Sequence, residues 1–286
     1  MAKILLIDGN LLLFRTFYAA YAINKEPGNL PIHLFFKSIL DILGQEDPHY
    51  IFVAFDAHGR TKRHAIFQDY KAGRTSPPPL IYEQKKLILE LLKLAKIQAW
   101  EQLGDEADDL IATLTRRYQE DHEVVIFSED KDLLQLVNDR VSVVIKNKQD
   151  KKTYLKIDQT NFQNNFFLEP QQIIDFKAIA GDPSDNLKGI KGIGNKTAIS
   201  LIQKYGSLEN IYQNLESLTA SQQAKFLTDQ DNAFLCKKLA CLNTEVEINL
   251  KLEDLNFYFQ NFANPAFLAK LKELNLNQLH RIFNIY

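Results

Sequence analysis

KILLID (residues 3–8), YIFVAFD (50–56) and VVIFSED (124–130) share one design, an apolar run that ends in an aspartate. Short runs rich in Ile, Val and Phe read as strands buried on both faces. Strands are predicted at 3–7, 50–55, 97–101 and 123–128, and helices around 31–43, 80–95, 106–119 and 131–137. This β–α–β rhythm predicts the α/β class, a parallel sheet covered by helices. In such sheets ligands bind outside the carboxyl ends of the strands. Asp8, Asp56 and Asp130 fall at those ends.

Six more acids stand at the same kind of junction. Glu106, Asp108 and Asp109 lie in GDEADDLIATL, Asp132 in SEDKDL, and Asp182 and Asp185 in GDPSDN. One or two acids in a first helical turn need only the helix dipole as explanation, about 0.3–1 kcal/mol each. Asp105, Glu106, Asp108 and Asp109 exceed that, because they repel one another. Glu106 and Asp109, three apart, share a helix face. SEDKDL and GDPSDN each read alone as turns with Asp caps; their recurrence at strand–helix junctions gives them weight. Crowded carboxylates are driven to protonate, and divalent cations remove that cost. Mg²⁺ takes oxygen ligands and keeps several waters. Two such ions, roughly 3.5–4 Å apart, are a device for cutting phosphodiesters. Two or more Mg²⁺ are therefore expected, with Mn²⁺ able to substitute.

The chain has 286 residues, a 45% apolar share and a formal net charge of −2. No apolar run reaches the roughly 18 residues of a membrane span. The apolar start is interrupted by Asp8 and reads as a strand rather than a signal peptide. Cys236 and Cys241, with no second ligand pair, read as reduced thiols of a cytoplasmic protein. The near-neutral total hides basic patches: Arg60, Lys62, Arg63, Lys71 and Arg74; Lys146, Lys148, Lys151, Lys152 and Lys156; Lys188, Lys191 and Lys196. An acidic centre flanked by such patches can still bind DNA.

Residues 141–145 and 153–157 read as a hairpin with a Lys-rich tip, and 57–79 as a mobile basic element ending in three prolines. Beyond about 160 the pattern turns helical. GIKGIGNKTA (189–198) reads as two short helices joined by a turn. Gly192 and Gly194 would take positive φ and present N–H groups to a phosphate, with Lys191 and Lys196 adding charge. In FQDYKAGR, Lys71 and Arg74 could meet one phosphate and Tyr70 could stack on an exposed base.

Taken in order, LLIDGNLLLFR, VAFD, RHAIFQDYKAGR, EADD, SEDKDL, GDPSDN and GIKGIGNKTA resemble the 5′-nuclease family over residues 4 to about 215. That family includes the 5′→3′ exonuclease domain of bacterial DNA polymerase I, phage 5′ exonucleases and flap endonucleases. The resemblance implies a PIN-like α/β core, residues 1–165, with a helical arch at about 57–95. A helical lobe would follow at 166–286, with a helix–hairpin–helix at about 187–205. Asp8, Asp56, Glu106, Asp108 and Asp109 would gather near one metal, and Asp130, Asp132, Asp182 and Asp185 near a second. Lys71 and Arg74 match arch residues that hold the scissile phosphate, and Arg15 a basic residue near the site. Arg60, Lys62 and Arg63 would contact DNA, and K⁺ would sit at the hairpin.

Asp105 departs from the family pattern, which often has an aromatic residue there. The implied activity is 5′→3′ exonuclease and flap endonuclease on flap, nicked or 5′-ended duplex DNA and RNA-primer junctions, in primer removal and repair. The enzyme would be a monomer without a membrane partner, in stand-alone form beside a separate DNA polymerase. Two alternatives stay open on sequence: a catalytically weakened binder of branched DNA, and a PIN-type ribonuclease.

Overall fold

Buried β-branched and aromatic runs set the sheet. In the computed structural model, which describes residues 1–147, 150 and 153–284, the strands are β1 (Lys3–Asp8), β2 (Tyr50–Asp56), β3 (Gln98–Gln102), β4 (Glu123–Phe127), β5 (Val141–Lys146) and β6 (Tyr154–Ile157). Their order is β3-β2-β1-β4-β5-β6. The first five run parallel, and β6 pairs antiparallel with β5, in the expected hairpin. The tip lysines Lys148, Lys151 and Lys152 lie outside the described residues.

The helices are α1 (Gly9–Ile23), α2 (Leu30–Glu46), α3 (Lys62–Ile66), α4 (Leu80–Leu94), α5 (Ala107–Tyr118), α6 (Gln159–Phe166), α7 (Gln172–Ala180), α8 (Asn195–Tyr205), α9 (Leu208–Gln213), α10 (Ala220–Thr228), α11 (Gln230–Ala240), α12 (Pro265–Glu273) and α13 (Asn277–Phe283). Side chains alternate across each strand, so the two faces of the sheet build separate cores. Leu5, Ile7, Val53 and Phe55 pack with α1, α2, α4 and the C-terminal helices. Ile4, Leu6, Phe52 and Ala54 pack with α5 on the other face. A third cluster, including Ile179, Ile202 and Phe226, holds α7 to α11 together as a helical lobe.

Strand order reverses between β1 and β4. The segments leaving β1 and β4 lie on opposite faces, α1 with Leu12 and Phe17 on one and Leu133 and Leu134 on the other, and open a crevice at this switch point, at the carboxyl edge. Asp8 ends β1 and Asp56 ends β2 at that edge.

One helix stands outside the expected set, and three expectations change. α1 starts directly after Asp8; its apolar LLLF and YAAYAI stretches lack the clean amphipathic period that marks a helix. The helix predicted at 131–137 is one 3₁₀ turn, Asp132–Leu136. The C-terminal half of the segment 57–95 is α4, which buries Ile81, Ile88, Leu91 and Leu92 on the sheet. Only 57–79 spans the crevice, and it is tied down there: Lys71 N–H donates to the Asp185 carbonyl at 3.1 Å and Asn186 Nδ2 to the Asp69 carbonyl at 2.8 Å. Finally, the chain beyond Leu242 leaves the lobe. Leu242, Val246, Ile248 and Leu255 join one face of the sheet, and Phe262, Phe267, Leu271, Leu279 and Phe283 the other. A lobe running from 166 to 286 therefore does not describe its last forty or so residues.

Candidate metal centre

The ends of β1, β2 and β4 each deliver one carboxylate and fix it with local donors. Asp8 caps α1 by accepting from the Leu11 N–H at 2.9 Å, and its second oxygen accepts from the Ser128 hydroxyl at 2.8 Å. Asp56 accepts from Asn10 Nδ2 at 2.6 Å and the Ala107 N–H at 2.8 Å. Asp130 accepts from the Asp132 N–H at 2.9 Å.

Two triads stand among these. Glu106, Asp108 and Asp109 each offer an oxygen, all within 4.8 Å of one another, and so do Asp132, Asp182 and Asp185. The predicted groups of five and four thus resolve into two tight triads, with Asp8, Asp56 and Asp130 on the same edge outside them.

Charge crowding shows in the proton affinities. Burial pushes Asp8 up to about 7, helped by Asp130 and Asp56 and opposed by Leu11 and Ser128. Burial, then Asp109, holds Asp108 well above the usual carboxylate range. Burial also raises Asp130, partly offset by Lys177. One oxygen of Asp108 is buried without a hydrogen-bond partner, the Arg63 guanidinium standing 4.0 Å away. An all-oxygen set with a bare buried acceptor and raised proton affinity fits a hard divalent cation.

Basic side chains cover the triads. Lys71 Nζ donates to Glu106 at 2.8 Å and Arg74 to Asp185 at 2.8 Å. Burial lowers the Lys71 ammonium's proton affinity, but Glu106 and Asp185 outweigh it and the net shift is upward. Lys71 also adopts φ +57°, an uncommon backbone state for a residue with a side chain.

Three predicted DNA contacts look different in place. Tyr70 is 3% exposed, its hydroxyl shared between Glu106 at 3.1 Å and Asp185 at 3.0 Å, so it cannot stack on a base. Arg63 is 8% exposed and forks onto Asp109 at 2.7 Å through both terminal nitrogens, besides Glu106 and the Leu239 carbonyl. It braces the acids rather than facing solvent. Lys62 is exposed but pairs with Asp105 at 2.7 Å. Arg60 is exposed. Arg15 pairs with Glu129, next to Asp130, and lies 5.6 Å over the Phe127 ring.

Sequence reasoning missed Lys177. This lysine is 7% exposed on α7 and pairs with both Asp132 and, at 2.7 Å, Asp182. Burial raises the Asp182 carboxyl, but Lys177 and Ser184 outweigh it and hold it low. The available signal was a lone lysine in the apolar stretch QIIDFKAIA, five residues before Asp182.

At the glycine-rich segment, α7 and α8 flank the turn, so the two helices span 172–205; the expected range 187–205 holds only the second. Gly192 has φ +79°, as predicted, whereas Gly194 has φ −90° and stands at the N-terminal cap of α8. A Cβ at Gly194 would meet nothing within 4 Å, so that position is open to solvent. Lys191 and Lys196 are exposed beside it.

The crowded acids predict a pH effect. Asp8 binds its proton more tightly folded, at about 7, than unfolded, near 3.8. Stability it confers below about pH 4 is therefore lost as pH rises to about 7, on the order of 4 kcal/mol. A divalent ion held at the neighbouring triads favours the ionised form of all these acids, so Ca²⁺ or Mg²⁺ should raise the melting temperature more at pH 8 than at pH 5.5. Equal shifts at both pH values, measured by calorimetry against EDTA, would count against these acids as ligands.

A parallel α/β sheet with two carboxylate triads at its carboxyl edge, bridged by a basic segment to a helical lobe, defines an acidic-crevice class of α/β protein. Residues 3–167 match the 5′-3′ exonuclease N-terminal resolvase-like domain, and 168–262 the 5′-3′ exonuclease C-terminal SAM fold. The chain is 41% identical to a 5′-3′ exonuclease of Mycoplasmopsis pulmonis over 94% of its own length and 89% of the relative's. It is 36% identical to a 5′-3′ exonuclease of Aquifex aeolicus, covering 98% and 94%. DNA polymerase I of Bacillus subtilis is 35% identical over 97% of this chain, which spans only 32% of that protein. The phage T5 D15 protein, co-crystallised with metal ions, shares the fold with TM-score 0.71 at 20% identity, covering 98% of both chains. The catalytic core of Rad2 in complex with DNA substrate does so with TM-score 0.65 at 17% identity, covering 99% and 90%. The chain belongs to the 5′-3′ exonuclease family.

Proposed function

We propose that this chain is a divalent-metal-dependent nuclease that removes 5′ ends and 5′ flaps from DNA. One observation carries the reading: two carboxylate triads at one sheet edge face Lys71 and Arg74 on a segment that crosses the same edge. Glu106, Asp108 and Asp109 would hold one Mg²⁺, and Asp132, Asp182 and Asp185 a second. When bound, such ions supply an acidified water and neutralise charge on the leaving oxygen. Arg63 keeps Glu106 and Asp109 oriented. Lys71 and Arg74 would turn from the acids to the phosphate oxygens and stabilise charge gathering there. Products would carry a 5′-phosphate and a 3′-hydroxyl. The named relatives support exonuclease activity; primer removal, repair and work beside a DNA polymerase follow by likeness to the polymerase I sequence. Among the described residues no helix is long and apolar enough to cross a membrane. A cytoplasmic monomer, with K⁺ at the hairpin, completes the proposal.

A gel assay with 5′-labelled flap, nicked duplex and single-stranded DNA, with Mg²⁺ or EDTA, tests it. Cleavage should require the metal, with Mn²⁺ substituting. Full cleavage in excess EDTA overturns the metal-dependent mechanism. DNA binding without cleavage under any metal condition would favour the weakened binder, and preference for RNA strands the ribonuclease.

The hairpin should grip duplex phosphates without reading bases. Gly194→Val should weaken duplex binding because the added side chain fills the open approach, not because of φ. Single strands should be affected much less. Losing Lys191 or Lys196 should lower the log–log salt slope by about 1. Equal loss on duplex and single strand in salt titrations would reduce the hairpin to a structural turn.

A further inference from the structure

α10 and α11 run from Ala220 to Ala240 with only Asp229 between them. Lys225, Asp229, Asn232 and Cys236 recur at spacings of four, three and four, so they form one stripe. Each meets the backbone of the glycine-rich segment. Lys225 Nζ donates to the Gly192 carbonyl at 3.0 Å. Asp229 accepts from the Lys191 N–H at 2.7 Å. Asn232 Nδ2 donates to the Gly189 carbonyl. Cys236 is 1% exposed, its thiol against the N–H groups of Gly189 and Lys188. Phe226 and Ala233, on another side of the same helices, seat them in the lobe core.

The segment itself supplies few backbone bonds. Ile190 N–H reaches the Ile179 carbonyl at 2.8 Å and Ile193 N–H the Ile190 carbonyl at 3.1 Å. Its shape between 189 and 192 is therefore held largely from outside. Asp229 is the informative member. A carboxylate beside exposed Lys191 and Lys196 would repel a phosphate arriving there. What it gives in return is a charge-assisted bond that fixes the Lys191 backbone.

We infer that the Lys225–Asp229–Asn232 stripe is the positioning element that sets the hairpin for duplex binding, with Asp229 as its central hold. The inference rests on the duplex-gripping role proposed above. A preset loop binds without losing conformational freedom on contact. The stripe therefore acts on affinity for duplex and leaves the chemical step alone.

Anisotropy titrations in Ca²⁺ on nicked duplex, flap and single-stranded DNA test it. Asp229→Ala and Asn232→Ala should each weaken duplex binding, Asp229→Ala by about tenfold for loss of a charge-assisted bond. Single-strand affinity and the single-turnover rate at saturating DNA in Mg²⁺ should not change. Asp229→Asn keeps an oxygen acceptor without the charge, so it should bind duplex at least as tightly as the parent. Wild-type duplex affinity in Asp229→Ala, equal loss on single strands, or an Asp229→Asn as weak as Asp229→Ala overturns the inference. If Asp229→Ala does not fold, Asn232→Ala and Asp229→Asn decide alone. A parent protein with no duplex preference would instead remove the hairpin reading itself.

Discussion

Asp108→Asn should lower single-turnover cleavage by about 10³-fold and, in EDTA, raise the melting temperature. Both effects come from one carboxylate. Asp108 stands beside Glu106 and Asp109 with one buried oxygen that no donor meets. Burial and Asp109 raise its proton affinity, so its ionised form costs stability while no ion is bound. An amide removes that cost, and each kcal/mol gained should show as roughly 2–4 °C. The same change removes a charged ligand from a metal worth several kcal/mol to the transition state, where about 4 kcal/mol is 10³-fold in rate. Differential scanning calorimetry and rapid-quench kinetics read the two quantities separately. A variant that is stabilised yet cleaves normally would mean that Asp108 is a buried acid outside the metal set. One that is destabilised in EDTA would contradict the repulsion.

The second large effect belongs to Lys71. Lys71→Ala should slow the single-turnover step by about 10²–10³-fold, the usual cost of removing one preorganised donor to developing charge. DNA affinity should fall only a few-fold. The side chain is mostly covered, 17% exposed, and held at 2.8 Å from Glu106, while the backbone is pinned to Asp185. Once it turns from Glu106 to the reacting phosphate, the pinned backbone leaves the side chain little further freedom to lose. Saturating enzyme separates the two roles: an unchanged rate with weaker binding would make Lys71 a docking contact. Lys71→Met tests whether any loss comes from the charge or from packing over the Tyr70 ring, 4.9 Å away.

All nine acids were legible because each ends an apolar run or opens a polar turn, features carried by neighbours in sequence. Their sorting was not. Glu106 and Asp185 are 79 positions apart, yet the Tyr70 hydroxyl links them. Tyr70 and Arg63 looked like solvent-facing DNA contacts because they sit in a basic, proline-ended stretch. Their burial depends on Leu187, Cys236 and Leu239, which pack with Tyr70, and on the Leu239 carbonyl that Arg63 meets. Gly194 was read with Gly192 because φ is invisible in a sequence.

What the sequence by itself determined is local and periodic: the parallel strands, the acids at their ends, and the glycine turn with its lysines. Continuous apolar runs and turn chemistry act over a few residues, so they survive without a fold. Tertiary structure alone decided which acids form triads, that Lys177 enters one of them, and that the last forty or so residues return to the sheet. It also decided that one face of α10 and α11 holds the hairpin. Those outcomes depend on contacts between distant segments, where burial and unlike charge select one arrangement among many that local pattern allows.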